Sequence, residues 1–458
     1  MVQSGYILAG FETLAGILNN FILNTKGRFE DNFTREDIGR FLSSSCSGFL
    51  HSYGEHFGGK KKWNKYSQSE AELLKKCRGY GFFDDSNFVV DSGGFQIATG
   101  RLNREESVLL LKMYYEFLEE YHELYDRAFI LDVPPGANCE TITDFDDLYR
   151  WNLDSYTTAA NLPDHVREKV IYVHHFRSPK LWNTFERILK ENDFYSRFNH
   201  FGTGGIVASM SGDASIPCII YVLPLIPIIN ETLKHGKNRL DFHVLGGANF
   251  RDILFYELFK IHVMKMHNLE LNITYDSAGM YKALMRGRTL QVFHEGSINK
   301  LDLRSAKLDN RFKNNGTVAE KFRDSLNNTA LRHGFKTLPF EEIYGDTTFQ
   351  EEIRVYAMLY SIDAFAIAQE KMRGLARDIY PMYAAGDVEF FNESIELETR
   401  RINGDKITRK QKAKTNSITT SLDMLSKLDE DHCKYIVKKC LSKDEFTNLI
   451  SSEQMLTV

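Results

Sequence analysis

A chain of 458 residues with 43% apolar and 26% charged side chains has material for a sizeable core, which excludes wholesale disorder and a single small module. Its 57 basic and 62 acidic side chains leave a formal net charge of -5, which excludes a uniformly basic nucleic-acid coat but leaves room for local basic patches. The six cysteines lie far apart with no C-x-x-C pair, so they read as reduced thiols of a cytoplasmic protein, with neither a disulfide framework nor a close-paired zinc site.

Residues 1–45 read as an N-terminal lead-in. The opening MVQSGYILAGFETLAGILNNF lacks a basic start, and Glu12, Asn19 and Asn20 interrupt it, so it is not a targeting signal. Phe49 to Tyr53 is a possible first strand. Lys60, Lys61, Lys62, Trp63 and Lys65 then interleave charge with an aromatic ring, as a surface that tracks a nucleic-acid strand would. A solvated loop is the commoner fate of such a run.

From Asn87 onward one pattern repeats: a short β-rich run, an abrupt polar or glycine-rich end, then a helical stretch. The runs end at Asp91, Asp132, His174, Gly205, Gly246 and Asp276, at intervals of 41, 42, 31, 41 and 30 residues. A βα unit needs about 30 residues or more, so successive parallel strands with crossover helices fit this spacing. Asn103 and Glu106 have capping-box spacing, and Leu110, Met113, Tyr114, Phe117 and Tyr121 share one helical face behind them. A second helix follows Asn249, with Leu254, Leu258 and Ile261 as its stripe. The longest apolar run, Ile216 to Ile229, is too short for a membrane span and holds three prolines, so a soluble protein is expected.

The expected fold is α/β: a (β/α)8 TIM-like barrel over residues 46–300, followed by a helix-rich C-terminal extension over 301–458. A doubly wound open sheet would show the same alternation. The barrel is favoured because polar chemistry ends nearly every strand, and barrel strand ends converge on one mouth. The extension carries a basic segment at 400–414 with seven bases against one acid, a local charge of +6. Arg400, Arg401, Arg409 and Lys410 are its expected phosphate contacts. Residues 417–458 read as two amphipathic helices.

Three strand-end carboxylates, Asp91, Asp132 and Asp276, are the candidate chemistry. Two carboxylates flanking a glycosidic bond divide the work of nucleophile and general acid/base. A lone strand-end aspartate is more often a turn or helix cap; three at one mouth shift that balance. In Asp91-Ser92-Gly93-Gly94-Phe95-Gln96 the glycines let backbone approach a ligand, and Phe95 offers a ring for a planar base. His174 and His175 face opposite ways on a strand, so one is packed or capping. Gly204-Gly205-Ile206 offers backbone groups to a ligand, or is an ordinary glycine turn.

The Asp91–Gln96 motif resembles the signature of the tRNA-guanine transglycosylase superfamily. Gly204-Gly205-Ile206, His243-Val-Leu-Gly246-Gly247 and Asp276 follow in the family's order, and the likeness covers residues 45–290. It implies a (β/α)8 barrel that exchanges guanine in a polynucleotide for a 7-deazaguanine. By that resemblance Asp276 is the nucleophile at C1′ of the sugar and Asp91 the acid/base. Phe95 stacks on the base, Asp132 reads its pyrimidine edge, and the Gly205-Ile206 backbone adds contacts; Ser92, Gln96, Gly204 and His175 complete the substrate-binding set. Arg286 and Arg288 join the expected nucleic-acid contacts.

The chain departs from the tRNA-acting members in three places. Residues 277–432 hold no cysteine, so the family's zinc site is absent in its usual form and no cofactor is expected. Ser277-Ala278-Gly279-Met280 follows the nucleophile in place of a Cys-x-x-Pro, and His174-His175-Phe176 stands where Gln-Gly is usual. These losses resemble the superfamily's DNA-modifying branch, found in bacteria and bacteriophages, whose members put 7-deazaguanines into DNA and so protect it from restriction. The expected partners are DNA and a free 7-deazaguanine base such as a cyano or aminomethyl derivative, with no membrane, in a bacterial or phage-infected cytoplasm. The alternatives are a tRNA substrate with the same chemistry, and a non-catalytic binding subunit.

Overall fold

The computed structural model describes residues 5–24, 34–57, 63–81, 87–133, 142, 144–175, 179–204, 223–246, 250–276, 289–294, 297–302 and 350–403, with isolated positions at 328–333 and 418–431. Eight parallel strands close into one barrel in sequence order. They are β1 (Gly5–Ala9), β2 (Gly48–Ser52), β3 (Phe88–Asp91), β4 (Arg127–Phe129), β5 (Val170–His174), β6 (His200–Thr203), β7 (Arg239–Val244) and β8 (Glu270–Asp276). A separate antiparallel hairpin pairs β9 (Thr289–His294) with β10 (Ser297–Asp302).

The helices in chain order are α1 (Phe11–Asn24), α2 (Arg35–Ser45), α3 (Tyr66–Arg78), α4 (Gly94–Ala98), α5 (Arg104–Glu120), α6 (Phe145–Ala160) and α7 (Asp164–Arg167). They continue with α8 (Pro179–Glu191), α9 (Phe194–Arg197), α10 (Leu225–Lys234), α11 (Phe250–His267), α12 (Gln350–Ala384) and α13 (Val388–Asn403). The expected capping box opens α5: Asn103 Oδ1 accepts from the Glu106 amide at 2.9 Å, and Glu106 Oε2 accepts from the Asn103 amide at 3.1 Å. Leu110, Tyr114 and Phe117 of its stripe are buried, while Met113 and Tyr121 pack half-buried at the edge. Among the described residues no helix is long and apolar enough to cross a membrane.

Both expected barrel boundaries move. The segment 1–45 is more than a lead-in, because its β1 pairs with β2 on one side and with β8 on the other, in register Ile7↔Gly48 and Ile7↔Asp276. Without it the sheet has seven strands and two open edges. The ring of helices is likewise incomplete at residue 300. The outer face of β8 and β1 is covered by α12, whose Phe365 ring lies 4.7 Å from that of Tyr6. Arg373 of α12 reaches Glu257 of α11 at 3.6 Å, and Tyr380 Oη lies 3.2 Å from His262 Nδ1, also of α11. A helix from the extension therefore fills the eighth helical position of the barrel.

Candidate active site

Strand alternation sends every second side chain into the barrel, and the last inward residues of several strands meet at the mouth. On β2 and β3 these are Ser52 and Asp91, direct register partners, and Ser52 Oγ donates to Asp91 Oδ2 at 2.9 Å. The two glycines after Asp91 are required by the protein's own backbone. Gly93 has φ +96°, and a Cβ there would stand 2.5 Å from Gly54 Cα; a Cβ on Gly94 would stand 1.9 Å from the Asp132 carbonyl oxygen. They admit the close approach of the β2, β3 and β4 ends, which draws Asp91 and Asp132 together.

Asp91 lies half-buried at this mouth. Burial pushes its carboxyl up to about 6, the nearby charges of Asp132 and Asp276 push the same way, and the Ser52 hydrogen bond only partly opposes them. Asp91 is thus poised to hold or release a proton near neutrality. Beside it, Phe95 on α4 is 56% exposed, an unusual state for so large a ring. Ser92 Oγ and Gln96 Oε1 are buried and find no hydrogen-bond partner among the described residues.

Asp132 follows β4 on a stretch of backbone pinned from both sides. Leu131 N–H donates to Tyr115 Oη at 3.2 Å, and Ser155 Oγ donates to Leu131 O at 2.6 Å. Asn152 then brackets Val133, accepting from its amide at 2.9 Å and donating to its carbonyl at 3.1 Å. One carboxylate oxygen of Asp132 lies 2.5 Å from His175 Nε2. The expected split of the two histidines is observed: His174 turns outward onto Trp182, with ring centroids 4.9 Å apart, and His175 turns to the mouth. Burial pushes His174 down to about 3, so it stays neutral in its packed position. Gly204 touches this pair in a way the sequence reading missed. A Cβ there would stand 2.7 Å from His175 Cε1, so its glycine makes room for the imidazole.

Asp276 ends β8 and is buried, 8% exposed. Its Oδ1 accepts from the Gly246 amide at 2.7 Å and lies 3.3 Å from His243 Nε2. His243 is buried in turn, with Nδ1 2.8 Å from Thr274 Oγ1 and its ring 4.8 Å from that of Phe129. Ser52 and Thr274 were not singled out in the sequence, and His243 stood there only as the start of the His243–Gly247 motif, with no role given to it. A signal for Thr274 existed, since it stands two residues before Asp276 and so on the same strand face.

Of the expected nucleic-acid contacts, Trp63 and Lys65 form a short 3₁₀ turn. Lys65 is exposed, but Trp63 is half-buried and stacks on Phe57 at 6.2 Å and 7°, so it is partly packed rather than a free platform for bases. Arg400 and Arg401 lie in the last turn of α13. Lys60, Lys61, Lys62, Gly205, Ile206, Arg286, Arg288, Arg409 and Lys410 lie outside the described residues, as do most of 417–458. Among the described residues no three His, Cys, Asp or Glu side chains are grouped to hold a metal ion.

The fold and site together define a (β/α)8 barrel whose mouth gathers three carboxylates, each with its own hydrogen-bond partner. Searched against protein-family models and against curated proteins, the chain finds no match in either.

Proposed function

We propose that this protein is a guanine transglycosylase acting on DNA, which exchanges guanine for a 7-deazaguanine base through a covalent aspartyl intermediate. The observation that carries this reading is the contrast between two carboxylates at one mouth. Asp276 has one oxygen anchored by Gly246 and His243, and Asp91 is held near 6 beside an exposed aromatic ring. The resemblance of Asp91–Gln96 to the transglycosylase signature supplies the substrate class, and the lack of cysteine in residues 277–432 favours DNA over tRNA.

In this mechanism the target guanine leaves the stack at a cost of a few kcal/mol and enters the mouth, where Phe95 stacks on it and Asp132 reads its edge. An oxygen of Asp276 attacks C1′ and forms an ester-like bond as the glycosidic C–N bond breaks. The departing base takes the bonding pair and the Asp91 proton, so guanine leaves neutral. The incoming base gives its ring N–H proton to the Asp91 carboxylate, its nitrogen attacks C1′, and Asp276 is released. Each proton taken from Asp91 is returned to it, so the cycle closes without net acid or base. Such chemistry belongs in the cytoplasm, where DNA and the free base meet.

The test is incorporation of radiolabelled guanine into DNA or into bulk tRNA, with Asp276→Ala in parallel. We expect label in DNA and a loss of about 10⁴-fold or more in the variant, the scale of removing a covalent nucleophile. Label in tRNA alone would move the substrate to RNA and keep the mechanism. No label in either polymer, with binding retained, would make the protein a non-catalytic nucleic-acid-binding subunit.

A further inference from the structure

Asp276 is held in an asymmetric way. Among the described residues its two side-chain hydrogen bonds converge on Oδ1, from the Gly246 amide at 2.7 Å and from His243 Nε2 at 3.3 Å. His243 and Thr274 are direct register partners on β7 and β8, and Asp276 is the next residue on the same face of β8. The imidazole is therefore gripped at both nitrogens, by Thr274 Oγ1 at 2.8 Å and by Asp276, with the Phe129 ring edge-on at 4.8 Å and 72°. A carboxylate acting as nucleophile can only accept, so in that role the hydrogen shared with Asp276 resides on His243 Nε2. In neutral imidazole Nδ1 is then an acceptor, and the Thr274 hydroxyl donates a hydrogen bond to it.

From this geometry we infer that Thr274, His243 and Asp276 form an ordered relay that fixes Oδ1 and leaves Oδ2 as the attacking oxygen. His243 is its positioning residue. The inference rests on the reading of Asp276 as nucleophile, which it deepens by naming the oxygen and the tautomer. The Gly246 amide alone leaves the carboxylate free to rotate about that single bond. A second donor on the same oxygen defines the carboxylate plane, and with it the line along which Oδ2 meets C1′. A misplacement of about 1 Å at such a centre can cost about 10²-fold in rate.

Three variants and one spectrum test this. His243→Phe keeps a ring of similar size without a donor, His243→Gln returns an N–H at similar reach, and Thr274→Val removes the hydroxyl while keeping its shape. We expect His243→Phe to lower kcat for base exchange by about 10²-fold with KM changed by less than about twofold, because the loss falls on alignment and spares base binding. His243→Gln should recover about tenfold of that loss, and Thr274→Val should lower kcat by about three- to tenfold. Nitrogen-15 spectra of the imidazoles should show His243 as the neutral Nε2–H form in the wild-type protein.

A folded His243→Phe with unchanged kcat, or a folded His243→Gln no better than it, overturns the inference. So does a wild-type spectrum with the hydrogen on Nδ1, and that readout needs neither base exchange nor a folded His243 variant. If the wild-type protein exchanges no base yet shows the Nε2–H form, the proposed reaction fails and the relay as a holder of Asp276 stands.

Discussion

Asp91 and Asp276 are the same side chain at the ends of two strands, and their surroundings divide them. Asp276 keeps an amide and an imidazole on one oxygen, while Asp91 has the Ser52 hydroxyl and the Ser92 backbone set against burial and two neighbouring carboxylates. That difference has a measurable consequence for stability. The carboxyl of Asp91 sits at about 6 in the folded protein against 3.8 when unfolded, so the folded state binds more protons between these values. Stability therefore falls as pH rises from about 4 to about 6, and above 6 the ionised group is a standing cost. Asp91→Asn should be more stable than wild type by about 1–3 kcal/mol at pH 7.5 and equal to it near pH 3.5, as measured by urea unfolding. The same variant should lose about 10²- to 10⁴-fold in base exchange. A variant that is less stable at pH 7.5 would show that Asp91 is not strained in the native site. The residues of this site were partly legible in the sequence, because a carboxylate closing an apolar run stands out. The His175–Asp132 contact was not, since the partners are 43 positions apart and meet only when β4 and β5 pair.

At the level of elements, the layer between strands and helices holds a charge cluster that no spacing pattern announces. His51 is the neighbour of Ser52 on β2 and so faces outward, where Nδ1 lies 3.6 Å from Glu12 of α1 and Nε2 lies 3.1 Å from Glu70 of α3. Burial works against a charge on this imidazole, but the two carboxylates outweigh it and raise its value to about 9. The contribution of the cluster to folding is complete below the unfolded value of 6.5 and is lost as pH rises through about 9. His51→Leu leaves two carboxylates buried together and should cost about 3–5 kcal/mol at pH 7. The stability of the variant should then lack the decline expected of wild type between pH 7 and 9.5. Equal unfolding midpoints at pH 7 would mean that α1 and α3 are held to β2 by packing alone. An amphipathic stripe identified α5 from sequence, since burial on one face writes a 3.6-residue period, whereas α11 is buried on all sides from Asp252 to Phe259 and its expected stripe is only part of what packs. A cluster formed by three separate elements writes no period.

For the whole molecule, the defining event is closure. Strands β3 to β8 were readable because each run ends in a polar or glycine-rich break, and β2 was marked only as a possible strand. Strand β1 ends in Ala9-Gly10 with no such chemistry, and it was passed over. The role of α12 was hidden for a different reason, because its partners Tyr6, Glu257 and His262 lie far away in the chain. Asp363 of α12 also gathers Thr329, Arg332 and His333, and the His333 ring meets Phe41 of α2 at 4.7 Å. The helix thus ties the first and last thirds of the protein across the β8–β1 seam. A protein ending at residue 302 should lack a cooperative thermal transition, and Phe365→Ala in the full chain should lose about 3–5 kcal/mol. A shortened chain with a sharp transition and an intact barrel would show that the seam closes without α12.

That seam also sets a schedule for the newborn protein. Asp276 completes the last strand of the barrel, but Ala384 at the end of α12 is made 108 residues later. At roughly 5–20 residues per second, the ribosome leaves a strip containing Tyr6 and Tyr275 uncovered for roughly 5–20 s after all eight strands exist. Throughout that interval the nascent chain presents an aromatic surface to whatever is nearby, its own neighbours on the same message included. Synonymous codons that slow translation between 277 and 350 would lengthen the exposure, and the yield of folded protein should fall with them.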